Sequence, residues 1–242
     1  MAAKDSPLKQ FEIDPISNIE LGGYNISFTN SSFAMLITVL VITLFLTLTV
    51  NTRSIIPSRM QLISELMYNF IAQLLSDTVG ENGKRYFPFV FSIFMFVLIG
   101  NMVGMIPYQF TFTSHIIVTF ALAAFIFIGV TIIGFLKHGL GYLKLFVPSG
   151  VPIILLPLIV VIEIISYLSR PVSLSVRLFA NMMAGHTMMK VFGGFVISLG
   201  IVGGWLPLSF SVALTGLEIL VAFLQAYEYA ILTCIYLNEA LN

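Results

Sequence analysis

Residues 151–191 read VPIILLPLIVVIEIISYLSRPVSLSVRLFANMMAGHTMMKV. As a helix, these ~41 residues would extend roughly 60 Å, about twice the ~30 Å hydrocarbon core of a bilayer. The rest of the chain is similarly apolar: of its 242 residues, 58% are hydrophobic and 9% are charged. Soluble domains carry roughly 25% charged residues. The sequence therefore predicts an all-α integral membrane protein, and its net charge of zero gives no indication of nucleic-acid binding.

Five apolar segments predict membrane-crossing helices in a single membrane domain that covers residues 1–242. Their ranges are 33–50, 86–107, 113–136, 151–191 and 206–237. The last, at roughly 48 Å, also exceeds the core thickness, so we expect the final two helices to be broken or strongly tilted. Pro152, Pro157 and Pro171 would allow kinks in the first of them. Glycines at 193–194, 200 and 203–204 predict a loop over 192–205.

Residues 58–80 have a different pattern. Apolar residues recur at i, i+3 and i+4 from Ile63 to Val79, while Glu65, Gln73 and Asp77 lie on the opposite face. Ser58 followed by Gln61 is typical of a capping box. The pattern predicts an amphipathic helix in the membrane interface rather than a span. The polar arm of residues 1–30 contains no apolar core of the signal-peptide type.

Basic residues predict the orientation of the chain. Those in or beside loops all fall on one predicted side: Arg53, Arg59, Lys84, Arg85, Lys137 and Lys144. The loops of the other side, 108–112 and 192–205, carry none. The positive-inside rule places the basic loops on the cytoplasmic or matrix side, with the N-terminus outside and the C-terminus inside. Lys4 and Lys9 in the arm argue weakly against this orientation.

Ionisable residues within the last two segments are functional candidates, because lipid disfavours them. They are Glu163, Arg177, His186, Glu218 and Glu228. On a helical wheel, one polar stripe lies within about 40° of Arg177, whereas His186 points about 180° away. The other members of this stripe are Glu163, Ser166, Arg170, Ser173 and Asn181. On the final segment Glu218 and Gln225 share a face, and Glu228 and Tyr229 follow one turn later.

These candidates differ in chemistry. Arg177 does not deprotonate in proteins, so it can act only as a fixed charge. Its insertion costs about 2.5–3.5 kcal/mol, which a carboxylate at ~4 Å in an effective dielectric of ~20 would roughly cancel. His186 and Glu218 can relay protons, since both titrate near neutrality when perturbed. Taken singly, the serines and Asn181 could be interhelical contacts, and Gly185 could simply permit close packing. Together, the charged residues favour an ion path.

SLSVRLFANMMAGH (173–186) and LTGLEILVAFLQAY (214–227) resemble subunit a of the F-type rotary ATP synthase. SFTNSS, NMVGMIPY and IYLN fit the same family, so the resemblance covers most of the chain. It implies a stator whose two tilted helices face a rotating c-ring, with two offset proton half-channels. Arg177 matches the essential arginine of the family, and Asn181 and Gln225 match its polar neighbours. Glu163, Ser166 and Ser173 match the inner half-channel, and His186 and Glu218 the outer one.

One departure from many bacterial relatives is informative. They carry an acid where this chain has His186 and a histidine where it has Glu218. The exchanged order resembles mitochondrial and alphaproteobacterial versions of the family. Because a relay needs both groups close together in either order, the double exchange predicts contact between residues 186 and 218. A titratable histidine favours protons over sodium as the coupling ion.

The resemblance also implies partners. It implies a c-ring, peripheral-stalk b-type subunits and lipid, in a bacterial or mitochondrial inner membrane, with no cofactor or metal and no bond chemistry in this chain. The competing interpretation is a stand-alone secondary transporter, which would require inverted repeats. A structural scaffold would not need Arg177. Cys234 has no second cysteine to bond with and is interpreted as a packing residue.

Overall fold

A computed structural model describes residues 11–17, 20–21, 24–25, 27–51, 58–106, 109–146 and 155–241. Six α-helices follow one another along the chain: α1 Asn30–Asn51, α2 Arg59–Val79, α3 Phe87–Gly104, α4 Ile116–His138, α5 Leu156–Gly203 and α6 Trp205–Leu241. In this part of the chain, five of them, all except α2, are long and apolar enough to cross a membrane. The predicted helical membrane fold is confirmed.

Helix α5 is longer than the sequence predicts. Residues 151–154 lie outside the described part, and the helix runs from Leu156 to Gly203, so the predicted loop over 192–205 is wrong for most of its length. The loop was predicted from its glycines, but a helix tolerates glycine where apolar neighbours continue the pattern. Backbone angles leave the helical region at Gly200, whose φ of 63° favours glycine. Pro171 lies inside the helix.

Helices α5 and α6 form an antiparallel hairpin. The chain reverses between Gly200 and Trp205, where the Gly204 N–H donates to the Gly200 carbonyl at 2.9 Å. From this turn outward, contacts join Phe192 to Phe210, Met189 to Thr215, His186 to Glu218, Arg177 to Glu228 and Arg170 to Glu239. The paired numbers rise on one helix as they fall on the other. The register of the hairpin thus decides which polar residues meet.

Helix α6 is the centre of the bundle and packs against α2, α3, α4 and α5. Its small residues Ala222, Ala226 and Ala230 are fully buried, which lets neighbouring helices approach closely. Asn101 of α3 donates from Nδ2 to the Ala222 carbonyl at 3.4 Å. Cys234 is buried and unbonded in the same core, as expected for a packing residue.

Helix α2 begins after an N-cap, but the capping box is incomplete. The Gln61 N–H donates to Ser58 Oγ at 3.3 Å, whereas the Gln61 side chain donates to Glu65 at 2.7 Å instead of reaching back to residue 58. Glu65 lies four residues after Gln61 on the same helix face, so the Gln61 side chain bonds to it and not to the cap residue. Ile71 and Leu75 are buried against the bundle, while Leu66 on the preceding turns is 60% exposed. Placement of α2 in the membrane interface remains a prediction.

The N-terminal arm contains two short antiparallel strand pairs that the sequence did not predict. β1 (Pro15–Ser17) pairs with β4 (Phe28–Thr29), and β2 (Glu20–Leu21) pairs with β3 (Tyr24–Asn25). Asn30 fastens the arm to α1, since its side-chain amide donates to the Glu12 carbonyl at 3.0 Å. Lys4, Lys9 and Arg53, which entered the orientation argument, lie outside the described residues.

Candidate functional site

Helix α5 has two unlike faces around Arg177. Leu174, Leu178 and Met182 are at most 2% exposed and pack into the bundle. Arg177, Ser173 and Asn181 lie on the exposed face, as does Ser166 two turns earlier. The polar stripe therefore faces away from this chain's own core. Since apolar residues fill the inward face, the stripe is available to something outside the chain.

Arg177 forms an ion pair within its own chain. Its Nη1 lies 2.8 Å from Oε2 of Glu228 on α6, and the two side chains are 47% and 31% exposed. Glu228 was a functional candidate by sequence, but its pairing with Arg177 was not predicted. A wheel of one helix cannot show which residue of the antiparallel neighbour faces it. A carboxylate of the kind needed to offset the cost of Arg177 is thus present in this chain.

A second ion pair lies farther from the turn. Arg170 Nη1 is 2.6 Å from Oε2 of Glu239, and the guanidinium lies over the Tyr167 and Tyr236 rings at 5.8 and 5.5 Å. Glu163, half-buried, interacts electrostatically with Arg170. Glu239 was not predicted as a site residue. An acid near the end of an apolar helix, paired with an arginine on the preceding helix, could have indicated it.

His186 and Glu218 lie in the interior. His186 Nε2 is 3.6 Å from Glu218 Oε1, with side chains 10% and 4% exposed. The predicted contact between residues 186 and 218 is present, and His186 is on the buried side of α5, opposite Arg177. Gly185 makes the approach possible: a Cβ there would stand 2.7 Å from Glu218 Oε1. Gly185 therefore leaves room for a carboxylate and not simply for a neighbouring helix.

Thr111 is the third member of this interior group, and the sequence analysis did not single it out. Its Oγ1 donates to the Gly104 carbonyl at 3.0 Å and lies 3.1 Å from His186 Nε2. A hydroxyl has one proton, so towards the histidine Thr111 can only accept. Neutral His186 therefore carries its proton on Nε2, between the Thr111 hydroxyl and the Glu218 carboxylate. Thr111 lies in a loop that the sequence analysis examined only for charge.

Several buried acceptors of this region have no hydrogen-bond partner among the described residues. They are both carboxylate oxygens of Glu218, Oε1 of Gln225 and Oδ1 of Asn101. Buried acceptors of this kind are costly in a packed core and are rare there. Glu218 and Gln225 share a face of α6, as predicted, so these atoms form a polar strip inside an apolar bundle. Such a strip suits groups that exchange protons rather than groups that only pack.

Tyr229 differs from the other candidates. It is fully buried, and its hydroxyl donates to the Thr119 carbonyl at 3.5 Å. Its ring fills the core between α4 and α6. The tyrosine is therefore placed to hold helices together, and not beside the exposed guanidinium of Arg177.

Fold and site together define a class: a polytopic helical membrane protein with a fixed cation on an exposed helix face and a titratable pair in its interior. The particular family follows from the sequence. Residues 32–238 match the family described as ATP synthase A chain, and the chain belongs to that family.

Curated relatives agree with this assignment. The chain is 74% identical over 238 residues to ATP synthase subunit a of Pelagibacter ubique (strain HTCC1062), covering 98% of each chain. It is 59% identical over 242 residues to ATP synthase subunit a of Chelativorans sp. (strain BNC1), covering 98% of this chain and 97% of the relative. The resemblance to F-type ATP synthase subunit a is confirmed, with alphaproteobacterial relatives.

Proposed function

We propose that this chain is the proton-translocating stator subunit of an F-type ATP synthase. In this role it couples proton flow across the membrane to rotation of a c-ring, and so to ATP synthesis in a separate catalytic head. Family membership supports the proposal. The observation that carries it is the division of the α5–α6 hairpin into an exposed Arg177 and a buried His186–Glu218 pair.

On the outer side, protons pass Glu218 and His186 and reach a ring carboxylate. Both groups bind and release protons, and their separation of 3.6 Å lets a small side-chain movement bring them into hydrogen-bond distance. Because the Nε2 proton of neutral His186 already lies on the side of Glu218, an incoming proton adds to Nδ1 and the Nε2 proton moves to the ionised Glu218 carboxylate. These two residues therefore form the outer half-channel in our proposal.

On the inner side, the returning carboxylate loses its proton near Glu163, Ser166 and Ser173. Arg177 then attracts the resulting anion, with Asn181 and Gln225 as polar neighbours. An arginine stays charged at every physiological pH, so it cannot pass a proton. Placed between the two half-channels, its positive charge also repels protons and blocks a direct leak.

The proposal also assigns the chain its membrane placement and its partner subunits. The 37 residues of α6 would extend about 56 Å if straight, so both hairpin helices tilt strongly within a ~30 Å core and follow the ring wall. Peripheral-stalk b-type subunits hold the stator in place. We place the chain in an inner membrane with its N-terminus outside, and we assign it no cofactor, no metal and no bond chemistry of its own.

The decisive experiment replaces Arg177 with alanine in the complete synthase. We expect proton-driven ATP synthesis in reconstituted vesicles to fall at least about 100-fold, because the ring carboxylate loses the charge that attracts it. Arg59→Ala, on the exposed start of α2, is the matched control and should retain synthesis. The complex should still purify with its c-ring in both variants. Normal synthesis by Arg177→Ala would overturn the proposal.

Purification also distinguishes the stator subunit from the alternative, a stand-alone secondary transporter. A stand-alone secondary transporter would purify without a c-ring and would move its substrate in vesicles that contain this chain only. Family membership gives this alternative no support.

A further inference from the structure

Arg177 and Glu228 form an ion pair on the exposed side of the α5–α6 hairpin. The guanidinium Nη1 lies 2.8 Å from the carboxylate Oε2, and both side chains remain partly exposed. Of the other members of the Arg177 stripe, Ser166, Ser173 and Asn181 carry no charge. Arg170 is paired with Glu239, and Glu163 is half-buried. An object that approaches this face therefore meets a neutral pair and not a bare cation.

A guanidinium can hold two carboxylates at once, because it has five N–H donors in a planar fork. Glu228 contacts the guanidinium at Nη1, and a guanidinium has further donors on Nη2 and Nε. Two carboxylates on one arginine have a net charge of −1 and repel each other. A second carboxylate is consequently held less tightly than it would be by an arginine without Glu228.

We propose that Glu228 is a positioning residue and the standing counter-ion of Arg177, which weakens the arginine's hold on each passing ring carboxylate. This inference rests on the proposed function, because the second carboxylate is that of the c-ring. Glu228 stabilises the guanidinium while no ring carboxylate is opposite it. When one arrives, Glu228 shares the charge, so that the ring carboxylate can accept a proton and move on.

Few other charges surround the pair. Helix α3 has no ionisable side chain, and those of α4 are confined to its last turn. The charged or titratable groups on the elements packed against α6 are Arg59, Glu65, Tyr68 and Asp77 of α2, Glu81, Lys84, Arg85 and Tyr86 of the short helical turn Glu81–Tyr86, Lys137 and His138 of α4, and Glu163, Tyr167, Arg170, His186 and Lys190 of α5. On α6 itself, Tyr236 interacts electrostatically with Arg177. Among the described groups, the one in ion-pair contact with Glu228 is Arg177.

The simpler interpretation is a clamp that joins α5 to α6. Arg170 and Glu239 already join the same two helices at 2.6 Å. A clamp and a counter-ion differ when the charge of residue 228 is removed without changing its size. Loss of a clamp would lower activity equally at every pH. Loss of a counter-ion would change the pH at which the ring carboxylate is protonated.

The test is Glu228→Gln in the complete synthase, reconstituted in vesicles. ATP synthesis is measured against the pH of the entry side, with the inner pH and the membrane potential held constant. We expect the maximal rate to fall about 5-fold and the half-maximal point to move to lower pH by roughly 1.7 units. That shift is the order expected when one charge is removed at about 7 Å in an effective dielectric of ~20.

Two variants accompany it. Glu228→Asp keeps the charge and should restore most of the rate and the original pH profile. Glu65→Gln makes the same chemical change on the exposed face of α2 and should leave both unchanged. An unshifted profile in Glu228→Gln, or equal profiles for Glu228→Asp and Glu228→Gln, would overturn the counter-ion role. Arg177→Ala separates the two proposals: if it abolishes synthesis while the profile of Glu228→Gln is unshifted, only this inference fails.

Discussion

Two of the acid–base pairs of the α5–α6 hairpin lie about nine residues, or ~13 Å, apart and are built in opposite ways. Arg177 and Glu228 touch at 2.8 Å with side chains 47% and 31% exposed, whereas His186 and Glu218 stand 3.6 Å apart with side chains 10% and 4% exposed. The exposed pair contains a cation that does not titrate. The buried pair consists of groups that do. A permanent charge is useful where an outside partner can reach it. Groups that exchange protons are useful in the interior, where lipid cannot reach them.

The largest effect should come from the buried pair. His186→Glu or Glu218→His alone places two like groups in contact, and ATP-driven proton pumping by vesicles should fall about 100-fold. The double variant restores one acid and one imidazole at the same two positions, so it should pump at least about 10-fold better than either single variant. A double variant no better than the worse single would contradict the pairing.

A smaller loss should follow from filling the space beside Glu218. In Gly185→Ala the new Cβ would lie 2.7 Å from Glu218 Oε1, so the carboxylate must move away from His186. Proton pumping should fall about 10-fold, although alanine favours a helix over glycine by about 1 kcal/mol. Gly193→Ala, where a Cβ would meet nothing within 4 Å, is the matched control. Equal pumping by the two variants would remove Gly185 from the site.

The smallest effect concerns the orientation of the imidazole. Thr111→Val keeps the shape of the side chain but removes the acceptor of the His186 Nε2 proton, and we expect proton pumping to fall about 3-fold. Thr111→Ser keeps the hydroxyl and should pump nearly as well as the unaltered chain. If valine and serine behave alike, the hydrogen bond at 3.1 Å has no part in transfer.

Sequence alone predicted the helices better than the contacts between them. Long apolar runs predict spans directly, because each run must exceed the bilayer thickness. The turn between α5 and α6 was misplaced because Gly193 and Gly194 remain helical and the backbone departs from the helix only at Gly200. The contact of His186 with Glu218 could be predicted from their exchanged order. That of Arg177 with Glu228 could not, because it depends on the register of two antiparallel helices.

Thr111 shows a second limit. Nothing in its own segment marks it, since a threonine between two spans is usual for a loop. Its importance arises from the fold, which brings the end of α3 and the loop before α4 against α5: a Cβ on Gly104 would lie 2.6 Å from Thr111 Cγ2. Residues that act through a neighbour distant in sequence become visible only when that neighbour has been placed.

The hairpin is fastened at both ends, by the turn between Gly200 and Trp205 and by the ion pair of Arg170 with Glu239. Arg177 lies between these fastenings. If each passing ring carboxylate pulls on this arginine, as proposed, the pull becomes a shear load shared along two helices and not a bending load on one side chain. Slippage by one helical turn would displace Arg177 by about 5.4 Å, enough to lose the ring carboxylate. Because the turn and the ion pair lie far apart along the hairpin, together they resist sliding of α5 along α6.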